Sequence, residues 1–418
     1  MAPPVVFFYF YPVIPLYYGI LQGGDTMHSR DLIEQYKGYV QDWRRYFHKH
    51  PELSNEEFET TKTLAKELES MGVEVHVDTE RGIGLVGIIH GDKPGKAIAL
   101  RADIDALPVH EHNTVDYKSE TEGKMHACGH DGHMAILLGA AKMLMSMKDR
   151  IEGDVYLAFQ PAEETGAGAP DFVKFGDWYD KIDAIFGGHV WIDLPAGLIS
   201  VEEGPRMAAS SQITINVKGK QGHGAQPHQA IDAIVVASAI VMNLQTVVSR
   251  NVSALDSLVL TIGNIHSGSE WNVIPGEAKM GGTIRFFDPG QEEYYVDSIR
   301  RVVEHTAEAY GATATLEYVK KVPPTINDPE SSELAERVVI DTLGKDKLSK
   351  MRKVMPGEDF AWYLQDKPGC FAFIGIQNPE VEATYDHHNN RFNMDDTILS
   401  AASAVYAEYA ITWLKEHK

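Results

Sequence analysis

Apolar and polar positions alternate along the chain in two textures. Leu32, Tyr36, Tyr39, Val40, Trp43 and Phe47 recur at helical spacing and predict an amphipathic helix near 30–48, ended by Pro51. Ser54-Asn-Glu-Glu57 has the form of a capping box and predicts a second helix, closed by Gly72. Strands are predicted at 73–77 and 85–90. The apolar run Ala97 to Ala102 reads as a buried strand and leads into Asp103-Ile-Asp105. A helix follows over 132–147. Val155–Phe159 is a strand ending just before Glu163-Glu164, and Ile182–Phe186 is another ending just before His189. Apolar strands separated by helices, each ending in a polar residue able to do chemistry, describe an open α/β sheet. Ligands collect outside the carboxyl ends of such strands.

The texture changes after Met207. A strand over 213–217, a helix over 230–249, strands over 258–265 and 278–287, a helix over 292–310 and a strand over 313–319 follow. The order β-α-β-β-α-β is that of a ferredoxin-like unit. We therefore expect a smaller domain at 208–318, inserted into a larger one made of 27–207 and 319–418. Beyond Pro323-Pro324 a strand over 371–376 and a terminal helix over 397–415 complete the larger domain. A length of 418 residues fits two cores better than one.

Composition narrows the partners. A formal charge of −22 argues against nucleic acid and anionic membrane surfaces. Only two cysteines, Cys128 and Cys370, are present, so no disulfide framework is expected and a cytoplasmic location fits. Cys370 reads as a small buried apolar residue. The run Val5 to Leu21 is apolar, but no Lys or Arg precedes it, and Pro12 and Pro15 interrupt it. Residues 1–26 are read as an extension outside the fold, a secretory or anchoring segment being the alternative.

The densest chemistry is His126-Ala-Cys128-Gly-His130-Asp131-Gly-His133. Thiolate and imidazole bind zinc and related ions, and a glycine between Cys128 and His130 lets both face one ion from a turn. Alone this spacing is weak, and a capping loop would explain it as well. Glu163-Glu164 needs a cation or solvent. Gly187-Gly-His189 and His387-His-Asn-Asn-Arg-Phe392 are two further ligand-bearing loops. Each is weak singly; together they supply nitrogen, sulfur and oxygen for two ions. Asp103 and Asp105 share one side of an extended segment and suit the orientation of a ligand histidine.

These strings occur in order within a wider set: Arg101-Ala-Asp-Ile-Asp-Ala-Leu-Pro108, Met125 to His133, Phe159-Gln-Pro-Ala-Glu-Glu164, Gly187-Gly-His-Val190, Gly222-His-Gly-Ala-Gln-Pro-His228, Asn272-Val-Ile-Pro275 and Gly282-Thr-Ile-Arg285. The chain resembles the hippurate hydrolase and N-acyl-amino-acid amidohydrolase branch of the aminoacylase/carboxypeptidase metallopeptidases. Plant auxin–amino acid conjugate hydrolases are similar. The resemblance implies a di-metal catalytic domain of the zinc-aminopeptidase/carboxypeptidase type with an inserted lid or dimerisation domain. It implies Cys128, His130, Glu164, His189 and His388 as ligands of two divalent ions (zinc, manganese, cobalt or nickel), with His130 bridging. His388 is preferred to His387 because the family ligand lies four residues before the aromatic, here Phe392. Glu163 would be the general base, His223 would polarise the scissile carbonyl, often from a neighbouring subunit of a homodimer, and Asn272 and Arg285 would hold the substrate carboxylate. On residues alone, His223 reads as a loop histidine and Arg285 as the partner of an acid such as Asp288.

The expected reaction is hydrolysis of an N-acyl amino acid, or a short peptide, by metal-activated water, with Glu163 taking the proton. A carboxypeptidase, a dipeptidase or an N-acetyldiaminopimelate deacetylase would use the same site. A cysteine-nucleophile hydrolase built on Cys128 and a metal-binding scaffold without catalysis are the rivals from other classes.

Overall fold

The structure is a computed structural model that describes residues 27–418; the expected extension lies outside the described residues. After a short turn, α1 (Ile33–Lys49) and α2 (Phe58–Ser70) precede β1 (Glu74–Val77), β2 (Leu85–His90) and β3 (Lys93–Asp103). Then come α3 (His130–Ser146), β4 (Glu152–Gln160), the short helices α4 (Gly168–Phe172) and α5 (Trp178–Lys181), and β5 (Ala184–Pro195). β6 (Ile199–Ser200) and β7 (Gly204–Met207) lead into β8 (Ser210–Lys218), β9 (Gly222–His223) and α6 (Ala233–Thr246). β10 (Leu258–Ser267), β11 (Val273–Ile274), β12 (Glu277–Phe286), α7 (Glu292–Ala309) and β13 (Thr313–Val322) follow. β14 (Thr325–Asn327), α8 (Pro329–Leu343), β15 (Gly369–Gln377) and α9 (Leu399–Glu416) end the chain.

The large sheet has the order β1-β2-β4-β3-β5-β15-β6. Its centre, β4-β3-β5-β15, is parallel, and antiparallel strands flank it. Both faces are covered, which is why the central strands read as unbroken apolar runs. One face carries the core of α1, α3, α8 and α9; the other packs Phe172, Trp178, Phe360 and Tyr363 against Tyr156, Ile185 and Phe371. α3 is buried almost all round, as its sequence without a polar stripe dictates. Its first residue is His130, so the packing of this helix sets where that ring sits. Gly129 caps the helix at φ +101°, and a Cβ there would lie 2.4 Å from Val190 Cγ2.

The second sheet has the order β10-β12-β8-β13, wholly antiparallel. The chain order β8-α6-β10-β12-α7-β13 follows the expected β-α-β-β-α-β alternation. Ile213, Ile215, Val217, Met280, Ile284 and Phe286 form a separate core with α6 and α7. The stretch Ala233–Asn251 is long and apolar enough by composition to cross a membrane, yet one face of α6, with Val236, Ile240 and Leu244, seats in this core. β13 runs to Val322, past the expected boundary at 318, because Val322 still pairs with Ser210.

Two local expectations are corrected. The capping box does not form: Glu57 precedes α2 without a side-chain cap, because its carboxyl bonds Ala162 N–H and Ser54 donates to Asp105. His189 does not follow a strand but lies inside β5, paired with Phe373 of β15. Since β3 pairs with β5 only through Phe186, the far edge of β5 at His189 opens onto the end of β3.

Gly139 lies where α3 meets α1 and α9, and a Cβ there would sit 2.4 Å from Ser403 Oγ and 2.6 Å from Val40 Cγ2. Gly139→Val should destabilise the fold by about 1–3 kcal/mol through overpacking. Urea unfolding would show this as a lower midpoint at unchanged slope; a variant as stable as the parent would contradict the packing.

Candidate metal centre

The site is built on a buried arginine. Arg101 of β3 donates to Asp103 at 2.6 Å and to Asp359 at 2.8 Å, and lies 3.0 Å from Glu358. Gln160, at the end of β4, donates to both Asp359 oxygens at 2.9 Å. Burial and the neighbouring Glu358 push the Asp359 carboxyl up to about 8, against the pull of Arg101. One guanidinium does not neutralise this set of acids.

The histidines stand on the acids. His133 Nδ1 bonds Asp103 at 2.5 Å while its Nε2 accepts Val190 N–H at 2.8 Å, so both nitrogens are occupied. His130 Nδ1 bonds Asp105 at 3.1 Å. Asp105 also accepts Ser54 Oγ–H at 2.6 Å and Glu164 N–H at 3.1 Å, so it ties the His130 ring to both of these loops. His189 Nδ1 is engaged with the Val190 carbonyl at 2.6 Å. The Nε2 atoms of His130 and His189 are thereby left with lone pairs pointing away from the protein scaffold.

Those lone pairs converge. Cys128 Sγ lies 3.3 Å from His189 Nε2, and His130 Nε2 lies 3.9 Å from Glu164 Oε1. His130 Nε2 and Glu164 Oε1 are both buried without a hydrogen-bond partner. Each such orphan costs about 1–3 kcal/mol, so the arrangement demands a further binding group. His388 Nε2 lies 3.4 Å from Glu164 Oε1. Donor atoms within 4.8 Å of one another form the sets Cys128–His130–His189 and Cys128–Glu164–His388, with a third set of His130, Glu163 and Glu164. Sulfur, imidazole and carboxylate in two such sets fit a pair of divalent ions.

His387 is otherwise employed. Its Nε2 accepts Ile192 N–H at 3.3 Å and its Nδ1 faces the Cys128 carbonyl at 3.1 Å. It is wedged between Trp191 and Phe392. His388 instead carries a left-handed φ of +66°, strain that a non-glycine residue adopts when something else holds it.

Cys128 is a poor nucleophile here. Burial, then Glu164 and Glu163, holds its thiol well above the usual range, so without a cation it stays protonated.

The residues expected from the smaller domain are not brought to this cluster. His223 is exposed on the β9–β11 ribbon, where its Nδ1 accepts Ala225 N–H at 3.0 Å. Asn272 is exposed on the same ribbon and accepts Gly224 N–H through its carbonyl at 2.8 Å. Arg285 is half-buried, faces the Met355 carbonyl at 3.5 Å, and has no carboxylate partner among the described residues. Asp288, the alternative partner, caps Gly290 instead.

The family model described as peptidase family M20/M25/M40 matches residues 99–412. The chain belongs to this family. It is therefore a metal-dependent amidohydrolase. N-acetyl-L-cysteine deacetylase of Bacillus subtilis is 41% identical over 369 residues, 88% of this chain and 86% of the relative. Thermostable carboxypeptidase 2 of Saccharolobus solfataricus is 38% identical over 397 residues, 91% of this chain and 98% of the relative. The crystal structure of the YXEP protein of Bacillus subtilis, a dinuclear metal-binding peptidase of the M20 family, superposes with a TM-score of 0.82 at 35% identity, covering 91% of this chain and 99% of that one.

Sequence reasoning missed Arg101, Glu358, Asp359 and Glu57. Glu358 and Asp359 sit in Pro356-Gly-Glu-Asp359, a loop with no ligand-type spacing. Arg101 had a signal, since a charge inside an apolar strand run must be paired when buried.

His388→Ala should lose about one of the two ions held by the M20 site, whereas His387→Ala should keep both. Metal analysis after dialysis checks this; metal loss confined to His387→Ala would reverse the assignment.

Proposed function

We propose that the protein hydrolyses the amide bond of N-acyl amino acids, releasing a carboxylic acid and a free amino acid. The observation that carries this is a convergence of the buried Cys128, His130 and His189 with the half-buried Glu164 and the exposed His388, Glu163 lying beside them. Zinc, manganese, cobalt and nickel all suit these donors. When bound, such an ion supplies Lewis acidity, making water a stronger acid and polarising a carbonyl. Cys128, His130, Glu164, His189 and His388 would hold the ions; Cys128 and His130 each belong to more than one donor set, and the His130 Nδ1 is committed to Asp105, which leaves its Nε2 as the donor.

Glu163 is the general base. One of its oxygens accepts Asp359 N–H at 3.3 Å, leaving the other for a proton. Burial, then Glu358, Glu164 and Asp359, holds its carboxyl above the usual range. Divalent ions at the adjoining donors would oppose that shift, since a nearby positive charge favours the ionised carboxylate. Arg285 supports the substrate class. Burial without an acid partner disfavours its charge, and a substrate carboxylate would restore the balance with a bidentate pair.

His223 and Asn272 reach the centre when the smaller, ferredoxin-like domain closes or when a second copy presents them. β10 is the edge of its sheet, and an unprotected ten-residue edge invites pairing. Beside it α6 exposes Ile234, Val235 and Met242, at 46%, 48% and 68%. A homodimer through this face covers both. Cys128 and Cys370 are free and buried, which suits a reducing cytoplasm.

A carboxypeptidase reading draws on the relative from Saccharolobus solfataricus. A panel of N-acetyl and N-benzoyl amino acids beside dipeptides separates the two. Turnover of the acyl amino acids is expected, abolished by EDTA and restored by Mn, Co or Zn. EDTA-resistant turnover would point to the thiol, and metal binding without turnover to a scaffold. Glu163→Gln should keep the metals and lower kcat by about 10²–10⁴-fold; a variant near wild-type rate would show the base to be another group. Met242→Asp should convert the dimer to monomer in light-scattering chromatography; a dimer that survives it, together with Val235→Asp, would place the interface elsewhere.

A further inference from the structure

The loop Ser54-Asn-Glu-Glu57 is not used as the cap its sequence suggests, and its two polar ends both reach the turn that carries Glu163 and Glu164. At one end Ser54 donates to Asp105, whose same oxygen accepts Glu164 N–H. At the other end Glu57 Oε1 accepts Ala162 N–H at 2.8 Å. Ala162 is the residue just before Glu163, is 1% exposed, and holds a left-handed φ of +59°. Alanine does not adopt that conformation unless the surroundings impose it. The buried N–H needs an acceptor, and Glu57 is the one that meets it.

The surroundings leave the turn no other path. A Cβ on Gly84 would lie 2.6 Å from Pro161 Cδ, and one on Gly168 would lie 2.2 Å from the Pro161 carbonyl. Glu57 itself is fixed, since its own carbonyl accepts Thr61 Oγ1–H at 2.6 Å, and Thr61 Oγ1 accepts Gly84 N–H at 2.9 Å. Yet Glu57 is costly as a purely structural element. It is fully buried, and its Oε2 has no partner. Burial, then Asp105, pushes its carboxyl up to about 7.

We propose that Glu57 is a positioning residue for the catalytic turn: by accepting Ala162 N–H it locks the left-handed step that aims Glu163 as base and Glu164 as ligand. This rests on the proposed reading of that site. It assigns to Glu57 the placement of two carboxylates it never touches. What matters is the reach of the acceptor oxygen, not the charge.

The test compares wild type, Glu57→Gln, which keeps an acceptor at the same reach, and Glu57→Asp, which keeps the charge but is one methylene too short. Glu57→Asp should lower kcat by about 10–100-fold at saturating Mn²⁺, with KM within about twofold. Calorimetric titration of the metal-free proteins with Mn²⁺ alone should show one of two binding events weakened by about 10-fold or more in Glu57→Asp. Glu57→Gln should stay within about threefold of wild type in both readouts. Should Glu57→Asp fail to fold, Glu57→Met removes the acceptor at equal length and takes its place. The proposal is overturned if Glu57→Asp matches wild type, or if Glu57→Gln is as impaired as Glu57→Asp. Should wild type turn over no acyl amino acid while the Mn²⁺ contrast holds, the positioning role stands and the proposed function falls.

Discussion

A buried surplus of negative charge is the constraint on which the rest of this structure depends. Asp103, Asp105, Glu163, Glu358 and Asp359 are buried together, with Glu164 close by. Arg101 is the buried guanidinium among them. Such a set is unfavourable without further positive charge, since desolvated carboxylates repel one another. Burial holds the Glu163, Glu358 and Asp359 carboxyls above the usual range, while His130, His133 and Arg101 hold Asp103 well below it against the same burial. Divalent ions at the adjoining cluster of Cys128, His130, Glu164, His189 and His388, as proposed, would relieve that repulsion.

The fold creates this surplus by geometry. β3, β4 and β5 run parallel, so their carboxyl ends bring Asp103, Gln160 and the loops beyond them to one edge. β5 continues past the end of β3, exposing His189 to the same crevice. α3, hidden on nearly every side, delivers His130 from its first turn. Asp105 fixes the His130 ring through its second nitrogen, and the Val190 carbonyl does the same for His189.

The elements that stand on long periodic patterns were legible in the sequence. α1, α7 and α9 lie within a few residues of their expected spans, and the alternating strands of the second sheet likewise. Glu163 and Glu164 were legible as residues following an apolar strand, and Cys128 and His130 as a dense ligand-type string, whereas His189 was expected past a strand and lies inside one. The choice of His388 over His387 became physical only when both nitrogens of His387 were seen to be occupied. Glu57 was misread because Ser-x-x-Glu before an apolar run has a local meaning, the cap, and local rules lost to a tertiary partner 105 positions away. Arg101, Glu358 and Asp359 meet across 258 positions at most, and no spacing rule reaches that far.

The smaller sheet stands on its own core and carries Arg285 on β12, while His223 and Asn272 lie at the separate β9–β11 ribbon. The centre itself is the claim on which all else turns, and anomalous diffraction from crystals grown with Mn²⁺ addresses it most directly. The account predicts two anomalous peaks within the cluster of Cys128, His130, Glu164, His189 and His388. A single peak, or density away from these residues, would contradict it.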